Sequence, residues 1–205
     1  METLKYEKIP TTLMQFAKVA YGSHDAAHNF SHAQNVHRNA IEIVKREGII
    51  LTEIECSEFP YITIGHDFDD HKLAAKGLCF KPEVLYEFYA RELGNSSANK
   101  IRHIHANCSW SKRKDSIPLI EGDWIRKVLQ DADWLEAIGE VGLQRCIEFT
   151  KFHKPDANIE AEVCKHIKEK LLNIPMEFNF ESTRRMVVDK KLTAPLTEYL
   201  LINDK

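Results

Sequence analysis

Cysteine is scarce in this sequence, and its arrangement suggests no disulfide framework. The 205 residues include five cysteines, an odd number, and no two of them form a CxxC pair. Small extracellular domains that depend on disulfides carry cysteines at a much higher density. The sequence therefore predicts a protein of a reduced, cytoplasmic compartment whose cysteines are Cys56, Cys79, Cys108, Cys146 and Cys164.

Long apolar runs and an excess of one charge are also missing. No uninterrupted apolar run is long enough to span a bilayer, and no cationic start leads into an apolar core. The formal net charge of -3 gives no general attraction to nucleic acid or to anionic membranes. We therefore expect no membrane partner, and nucleic acid would bind only through a local basic patch.

Strand-like alternation of apolar and polar residues is scarce, whereas helical spacing of apolar residues runs through nearly the whole chain. Start and stop signals accompany this spacing. Thr52 and Glu55 form a capping-box pattern, and Pro82 begins an apolar run that Gly94 ends. With 43% apolar residues and no repeat or linker, the sequence predicts a single all-α helical bundle over residues 1–205.

Several element boundaries are also predicted. They are a long helix over residues 25–46 that Gly48 stops, one amphipathic run over 124–149, a further run over 159–172, a loop over 174–180 that contains Pro175, and a last helix that starts near Glu181.

The densest group of titratable side chains follows an apolar run, in residues 64–72. Residues 66–72 contain three aspartates, two histidines and a lysine. Such crowding has no structural advantage for a nearly neutral chain, so this cluster is the first candidate for chemistry. The pair His66-Asp67 is a weak signal by itself, because one such dipeptide arises easily by chance. Partners elsewhere in the chain decide its meaning.

Two other segments carry matching ligand types. His28 and His32 lie four residues apart, on one face of the predicted helix. Further along, Asp131 and Asp133 bring two carboxylates into an otherwise apolar helical run. A set of two imidazoles and two carboxylates suits Mn²⁺, Co²⁺, Ni²⁺, Fe²⁺ or Zn²⁺, and the lack of thiolates argues against a closed structural zinc site.

The order His, His-Asp, Asp, together with its flanking residues, resembles the HD-domain superfamily of metal-dependent phosphohydrolases. The branch that it resembles is a bacterial type of about 200 residues, similar to nucleoside triphosphate pyrophosphohydrolases. The resemblance covers most of the chain, from about residue 20 to 175. It implies one divalent ion, with Mn²⁺ favoured and Mg²⁺ also allowed, and the ligands His32, His66, Asp67 and Asp133, with Asp131 as the rival for the last place.

The same resemblance implies roles around the ion. In similar enzymes an acidic residue three positions after the central aspartate orients or deprotonates the attacking water, or protonates the leaving group, and here that residue is Asp70. His28 would contact phosphate or donate a proton. The implied substrate-binding residues are Lys72, Ser109, Lys112 and Arg145.

Each assignment has a simpler alternative. His32 could be a buried core histidine, Lys72 a neutralising neighbour, and the segment around Lys112 a solvated basic loop. His103 and His105 lie two residues apart, so on a helix they cannot both face one ion, and we interpret them as surface or groove residues. The alternative is that one of them holds a second metal.

Four positions depart from the family pattern. Asn29, Asn35 and Trp134 replace a usual aspartate and two usual arginines, and Pro60 interrupts the helix that normally leads into His66-Asp67. None of the four ligands is affected. The departures instead put substrate preference in doubt, because the neighbours of ligands set the charge around the site.

The function implied by the resemblance is metal-dependent hydrolysis of a small phosphorylated metabolite, with a nucleotide favoured as substrate. A 5′-nucleotidase or a cyclic-nucleotide phosphodiesterase would use the same ligands. A regulator that binds nucleotide or metal without turnover is the alternative from a different class, and the presence of Asp70 favours catalysis over it. The sequence leaves open the base and sugar preference and whether the chain forms a homodimer.

Overall fold

Helices build the molecule, and they pack around a central pair. The computed structural model describes residues 5–22, 29–69, 80–115, 120 and 122–204, and these ranges contain helices and no strand. The predicted all-α helical bundle is confirmed. In chain order the α-helices are α1 (Thr11–Tyr21), α2 (Phe30–Glu47), α3 (Glu53–Ile64), α4 (Pro82–Leu93), α5 (Asn95–Ala106), α6 (Asp123–Glu136), α7 (Gly139–His153), α8 (Ile159–Glu169), α9 (Ile174–Glu177), α10 (Glu181–Asp189) and α11 (Ala194–Asn203), with short 3-10 helices at Lys5–Glu7, Trp110–Lys112 and Leu171–Asn173.

The central pair is α2 and α6. The inner face of α2 presents Ala33, Val36 and Ala40, and that of α6 presents Leu129 and Ala132, all without exposed surface. Alanines on both sides let the two backbones approach closely, and complete burial of the larger side chains stabilises the pair by about 1.5–3 kcal/mol for each side chain.

The other helices surround this pair in two groups. Helix α3 packs on α2, and the antiparallel helices α4 and α5 pack against each other and on α3. On the other side, α7, α8 and α11 pack together, while α10 lies against α2 and α6. The first group places the end of α3 beside the start of α2, and the second group leaves a cavity between α6, α7 and α8.

Local signals in the sequence mark several helix ends correctly. Thr52 and Glu55 form both hydrogen bonds of the capping box at the start of α3. Gly48 ends α2 with a left-handed backbone, and Pro82 and Gly94 bound α4. These ends depend on a few consecutive residues, which is why sequence patterns could predict them.

The prediction of one amphipathic run over 124–149 is wrong, because two helices share that segment. Helix α6 ends at Glu136 and α7 begins at Gly139, whose φ of 85° is rarely adopted by residues with side chains. A Cβ atom on Gly142 would lie 2.3 Å from the carbonyl carbon of Ala137, so only glycine fits where the chain turns back. Gly139 and Gly142 therefore allow the chain to turn between α6 and α7, and both of these helices line the cavity.

The prediction that Pro60 interrupts the helix before His66-Asp67 is also wrong. Helix α3 continues through Pro60 to Ile64. Proline removes one backbone hydrogen bond from a helix interior, but the side chains around Pro60 are buried against neighbouring helices, and this packing stabilises α3 despite the loss. Phe59, Ile62 and Ile64 have no exposed surface.

Two expectations near the C-terminus need correction. Residues 174–180 were expected to form a loop, but Ile174–Glu177 is a short helix with Pro175 in its first turn. A missing N–H costs nothing there, since the first N–H groups of a helix have no internal partner. The helix that begins at Glu181 does so as predicted, yet it is followed by α11 and is not the last.

A buried histidine lies behind the turn that follows α3. His37 has 3% of its surface exposed, and its Nδ1 lies 2.8 Å from the Thr63 hydroxyl. Its Nε2 lies 3.4 Å from the carbonyl oxygen of Glu7. Burial disfavours the charged ring and lowers the pKa of His37 from 6.5 to about 4, so the folded protein holds this side chain neutral.

This histidine should make the fold sensitive to acid. Between pH 6.5 and 4 the unfolded chain binds a proton at His37 that the folded chain does not, so the free energy of unfolding decreases as the pH falls through that window. The loss between pH 7.5 and pH 5 should be about 2 kcal/mol. Urea denaturation at the two pH values should show it in the natural protein, and His37→Met should reduce the difference by that amount. An unchanged difference in the variant would contradict the assignment.

Candidate metal centre

Three separate elements bring the predicted ligands together. His32 lies in the first turn of α2, where the Asn29 side chain accepts a hydrogen bond from its backbone N–H at 3.0 Å. His66 and Asp67 follow the end of α3 at Gly65. Asp133 lies on the last turn of α6. Asn29, which replaces the aspartate of the resembling family, thus acts as the N-cap of the helix that carries His32.

Gly65 is required by close packing at the turn that carries His66 and Asp67. A Cβ atom there would lie 2.4 Å from the Tyr89 hydroxyl and 2.7 Å from the carbonyl oxygen of Tyr61. The second contact is with backbone, which cannot move aside without disturbing α3. The glycine therefore allows the two candidate ligands to follow the helix directly.

The candidate donor atoms converge on one point. The Nε2 atoms of His32 and His66 lie 3.3 Å apart. Asp67 Oδ2 lies 3.6 and 3.3 Å from these two nitrogens, and Asp133 Oδ1 lies 3.3 and 3.7 Å from them. In addition, donor atoms of His32, His66 and Asp133 all lie within 4.8 Å of one another.

These separations fit a divalent ion. Nitrogen and oxygen ligands about 2.0–2.2 Å from an ion lie about 3.0–3.5 Å apart from each other, which matches most of the observed distances. Imidazole and carboxylate donors suit transition metals, and four of them leave octahedral positions open for other ligands. The residues present can therefore hold a single divalent ion without rearrangement of the backbone.

His66 is already oriented as a metal ligand. Its Nδ1 donates a hydrogen bond to the carbonyl oxygen of Thr63 at 2.9 Å, so its Nε2 faces the other donors. Burial lowers the pKa of His66, but Asp67 and Asp133 outweigh that effect and raise it to about 9. The two carboxylates thus create a place for positive charge beside this ring.

His32 is oriented differently, because an arginine lies behind it. Arg145 Nη1 is 2.9 Å from His32 Nδ1 and 3.3 Å from the carbonyl oxygen of Glu136. Burial, together with the charge of Arg145, lowers the pKa of His32 despite its contact with Asp133. Burial alone would raise the pKa of Asp133, but His32 and His66 bring it below its usual value.

The structure separates the two rivals for the last ligand. Asp131 and Asp133 lie two residues apart on α6, so their side chains leave the helix on opposite sides. Asp131 is fully buried and accepts hydrogen bonds from the backbone N–H groups of Asn179 and Phe180, at 2.9 and 3.0 Å. Its carboxylate therefore supports the start of α10, whereas that of Asp133 faces the two histidines.

A cavity of about 940 Å³ opens from the four donors and runs between α6, α7 and α8. Ser109, Lys112 and Arg145, which the resemblance implied as phosphate-binding residues, all line it. Lys112 pairs with Asp115 at 3.2 Å on the rim, and the Ser109 and Ser111 hydroxyls lie 3.0 Å apart. The other implied residues, His28, Asp70 and Lys72, lie outside the described residues.

Sequence reasoning missed the cations at the far end of this cavity. Lys154, Lys165 and Lys170 come from the end of α7 and from α8, and each lines the cavity. On the helical pattern they look like ordinary solvated lysines, so no signal in the sequence distinguished them. The Cys108 thiol also lines the cavity, and burial raises its pKa well above the usual value.

The two additional histidines occupy groove walls, as we interpreted them. His105 lines the main cavity and donates from Nε2 to the carbonyl oxygen of Ile62 at 2.9 Å. His103 and His105 both line a smaller cavity of about 460 Å³ beside α4 and α5, which Asp69 also borders.

Fold and site together define a helical-bundle protein with a four-residue candidate metal centre at the end of a cavity lined by charged side chains of both signs. None of the helices in the described ranges has the length and apolar character needed to cross a bilayer. No family model matches the chain, and no curated protein sequence matches it.

Solved structures with the same fold exist. Bacillus subtilis YpgQ, solved in complex with ADP, superposes with a TM-score of 0.67 at 22% identity over 91% of this chain and 90% of that one. A Lactobacillus plantarum protein gives 0.66 at 20% identity over 94% and 95%. The Lin1889 protein of Listeria innocua gives 0.60 at 20% identity over the same shares. At these identities the similarity establishes the shared fold.

Paired substitutions of the two aspartates on α6 should separate structure from metal binding. Asp133→Ala should abolish Mn²⁺ binding and change the free energy of unfolding by no more than about 1 kcal/mol, since its carboxylate supports no helix end. Asp131→Ala should cost about 3 kcal/mol, because buried N–H groups lose their acceptor, and should retain Mn²⁺ binding. Urea denaturation and isothermal titration calorimetry measure the two effects. Loss of Mn²⁺ binding by folded Asp131→Ala, with binding kept by Asp133→Ala, would reverse the assignment.

Proposed function

We propose that this protein is a metal-dependent phosphohydrolase that acts on a nucleotide, of the nucleoside triphosphate pyrophosphohydrolase type. The convergence of His32, His66, Asp67 and Asp133 at one end of a cavity that Lys112 and Arg145 also line is the observation that carries the proposal. The order of these residues along the chain, which resembles that of the HD-domain superfamily, agrees with it.

The donor set supports the choice of chemistry. Two imidazoles and two carboxylates would hold a divalent ion such as Mn²⁺, which, when bound, lowers the pKa of a water molecule and polarises a phosphoryl oxygen. Structural ions are usually enclosed by all their ligands, whereas this cluster borders a cavity. An open site suits a reaction between water and a bound substrate.

The cavity supports a nucleotide as substrate. Its volume of about 940 Å³ lies within the range that binds molecules of this size. Its lining combines charged side chains of both signs, including several cations, with an apolar section that includes Trp134, Phe149, Leu171 and Ile174. A nucleotide needs both kinds of surface, because its phosphates carry charge and its base is flat and largely apolar.

A structural neighbour also supports nucleotide binding. YpgQ, which shares this fold over nine-tenths of its chain, was solved in complex with ADP. By analogy, we propose that the cavity of this protein binds an adenine nucleotide or a related compound. The analogy concerns the ligand class alone, since a shared fold can hold different substrates.

Residues around the cavity have separate roles in the proposed reaction. Lys112 and Arg145 would offset the negative charge that develops on phosphate oxygens, and Ser109 would donate a hydrogen bond to one of them. From the family resemblance, Asp70 would accept a proton from the attacking water or give one to the leaving group, with Lys72 and His28 contacting phosphate.

Turnover can be tested on metal-stripped protein. Nucleoside triphosphates, deoxynucleoside triphosphates, monophosphates and cyclic nucleotides would each be incubated with added Mn²⁺, Co²⁺, Ni²⁺ or Mg²⁺, and products identified by chromatography. We expect a nucleoside monophosphate and pyrophosphate from a triphosphate, with Mn²⁺ most effective. Asp67→Ala should lower the rate on the order of 1000-fold. Asp156→Asn, which changes an exposed carboxylate outside the cavity, is the matched control and should keep full activity.

The products distinguish the alternatives. Orthophosphate with a nucleoside would indicate a 5′-nucleotidase, and opening of a cyclic nucleotide would indicate a phosphodiesterase. If no nucleotide is hydrolysed with any metal, the proposal of a nucleotide hydrolase is wrong, and calorimetric binding of ADP under the same conditions would then indicate a regulator.

A further inference from the structure

The two candidate histidine ligands differ in how their second ring nitrogen is held. His66 Nδ1 donates to a carbonyl oxygen, that of Thr63. This bond keeps one N–H on Nδ1, so when an ion displaces the proton on Nε2, His66 Nε2 supplies the lone pair that a metal ligand requires. His66 is thus prepared for an ion by the backbone of its own turn.

His32 is held in the opposite way. Its Nδ1 lies 2.9 Å from Nη1 of Arg145, and a guanidinium group only donates hydrogen bonds. His32 Nδ1 must therefore accept, which places the ring proton on Nε2. That nitrogen points at Asp133 Oδ1, 3.3 Å away, so the N–H has an acceptor there. The proton on His32 Nε2 occupies the position in which a metal would bind.

Coordination of an ion by His32 Nε2 would transfer this N–H to Nδ1. Nδ1 would then be a donor facing the donor groups of Arg145, and the two cannot form a hydrogen bond. In the described arrangement Arg145 therefore opposes binding of an ion, both by this contact and by its own charge. Arg145 must turn away before His32 can act as a ligand.

Arg145 has an unused capacity to bind an anion in the cavity. It forms no ion pair with any carboxylate in the described part of the chain, and its buried Nε has no hydrogen-bond partner there. Arg145 contacts Glu136 only at its backbone carbonyl oxygen, and the Glu136 carboxylate accepts hydrogen bonds from Asn35 and Asn39, at 2.8 and 3.1 Å. Because Arg145 lines the cavity, a phosphate there could accept from the N–H groups that now serve His32.

We propose that Arg145 couples the two ligands of the site, so that phosphate binding in the cavity releases His32 and strengthens metal binding. By linkage, the metal must strengthen phosphate binding by the same factor. The protein would thus bind its ion weakly when no phosphate compound is present. This inference rests on the proposed metal centre and concerns its regulation.

The test measures the affinity for Mn²⁺ by electron paramagnetic resonance of the free ion, with and without inorganic phosphate. In the natural protein, phosphate should lower the Kd for Mn²⁺ about tenfold. Arg145→Met, which retains the length of the side chain but cannot donate, should bind Mn²⁺ without phosphate about as tightly as the natural protein does with it. Phosphate should then change the Kd of the variant less than about twofold.

Two further variants control for charge and for folding. Lys165→Met removes one positive charge from the same cavity at a residue with no assigned role, and it should leave the Kd for Mn²⁺ without phosphate within about twofold. Arg145→Gln supplies a carbonyl oxygen that can accept from His32 Nδ1, and it should tighten Mn²⁺ binding as Arg145→Met does. Circular dichroism of each variant establishes that it is folded.

The outcomes separate this inference from the proposed function. If Arg145→Met and Arg145→Gln bind Mn²⁺ no more tightly than the natural protein without phosphate, the coupling is wrong while the metal centre stands. An equal gain from Lys165→Met would also overturn it, because charge alone would then explain the effect. If the natural protein binds no Mn²⁺ with or without phosphate, the metal centre itself is wrong.

Discussion

The close packing of α2 against α6 is the constraint on which the rest of the site depends. It brings His32 and Asp133, which are about one hundred residues apart in the chain, to within 3.3 Å. Alanines at the contact allow this approach, and two asparagines of α2 reinforce it by donating to the Glu136 carboxylate. Asn35, which replaces an arginine of the resembling family, is one of the two. This departure thus has a structural role at the same contact.

Neighbouring carboxylates on α6 illustrate how burial and direction decide what an acidic residue does. Asp131 and Asp133 differ by two positions, which on a helix directs them to opposite sides. One is enclosed and accepts backbone N–H groups at the start of α10, while the other faces two imidazoles beside an open cavity. Nothing in their chemistry separates them. Their different surroundings do, and these come from helices far away in the chain.

Prediction from the sequence succeeded where the physical cause is local. The capping box at Thr52, the glycine end of α2 and the proline start of α4 each depend on a few adjacent residues. It failed where distant packing overrides a local preference, as at Pro60 within α3. The break between α6 and α7 was missed because the need for its two glycines depends on the backbone conformation and on close backbone contacts, which apolar periodicity does not report.

The sequence by itself determined the all-α class, through apolar periodicity, and the identity of the residue types that can bind a metal, through the spaced His, His-Asp and Asp segments. Only the tertiary structure decided which aspartate faces the histidines, which lysines line the cavity, and that Arg145 lies behind His32. The reason is physical. Periodicity and caps depend on interactions within one or two helical turns, whereas a site is made by the directions in which side chains from several helices meet.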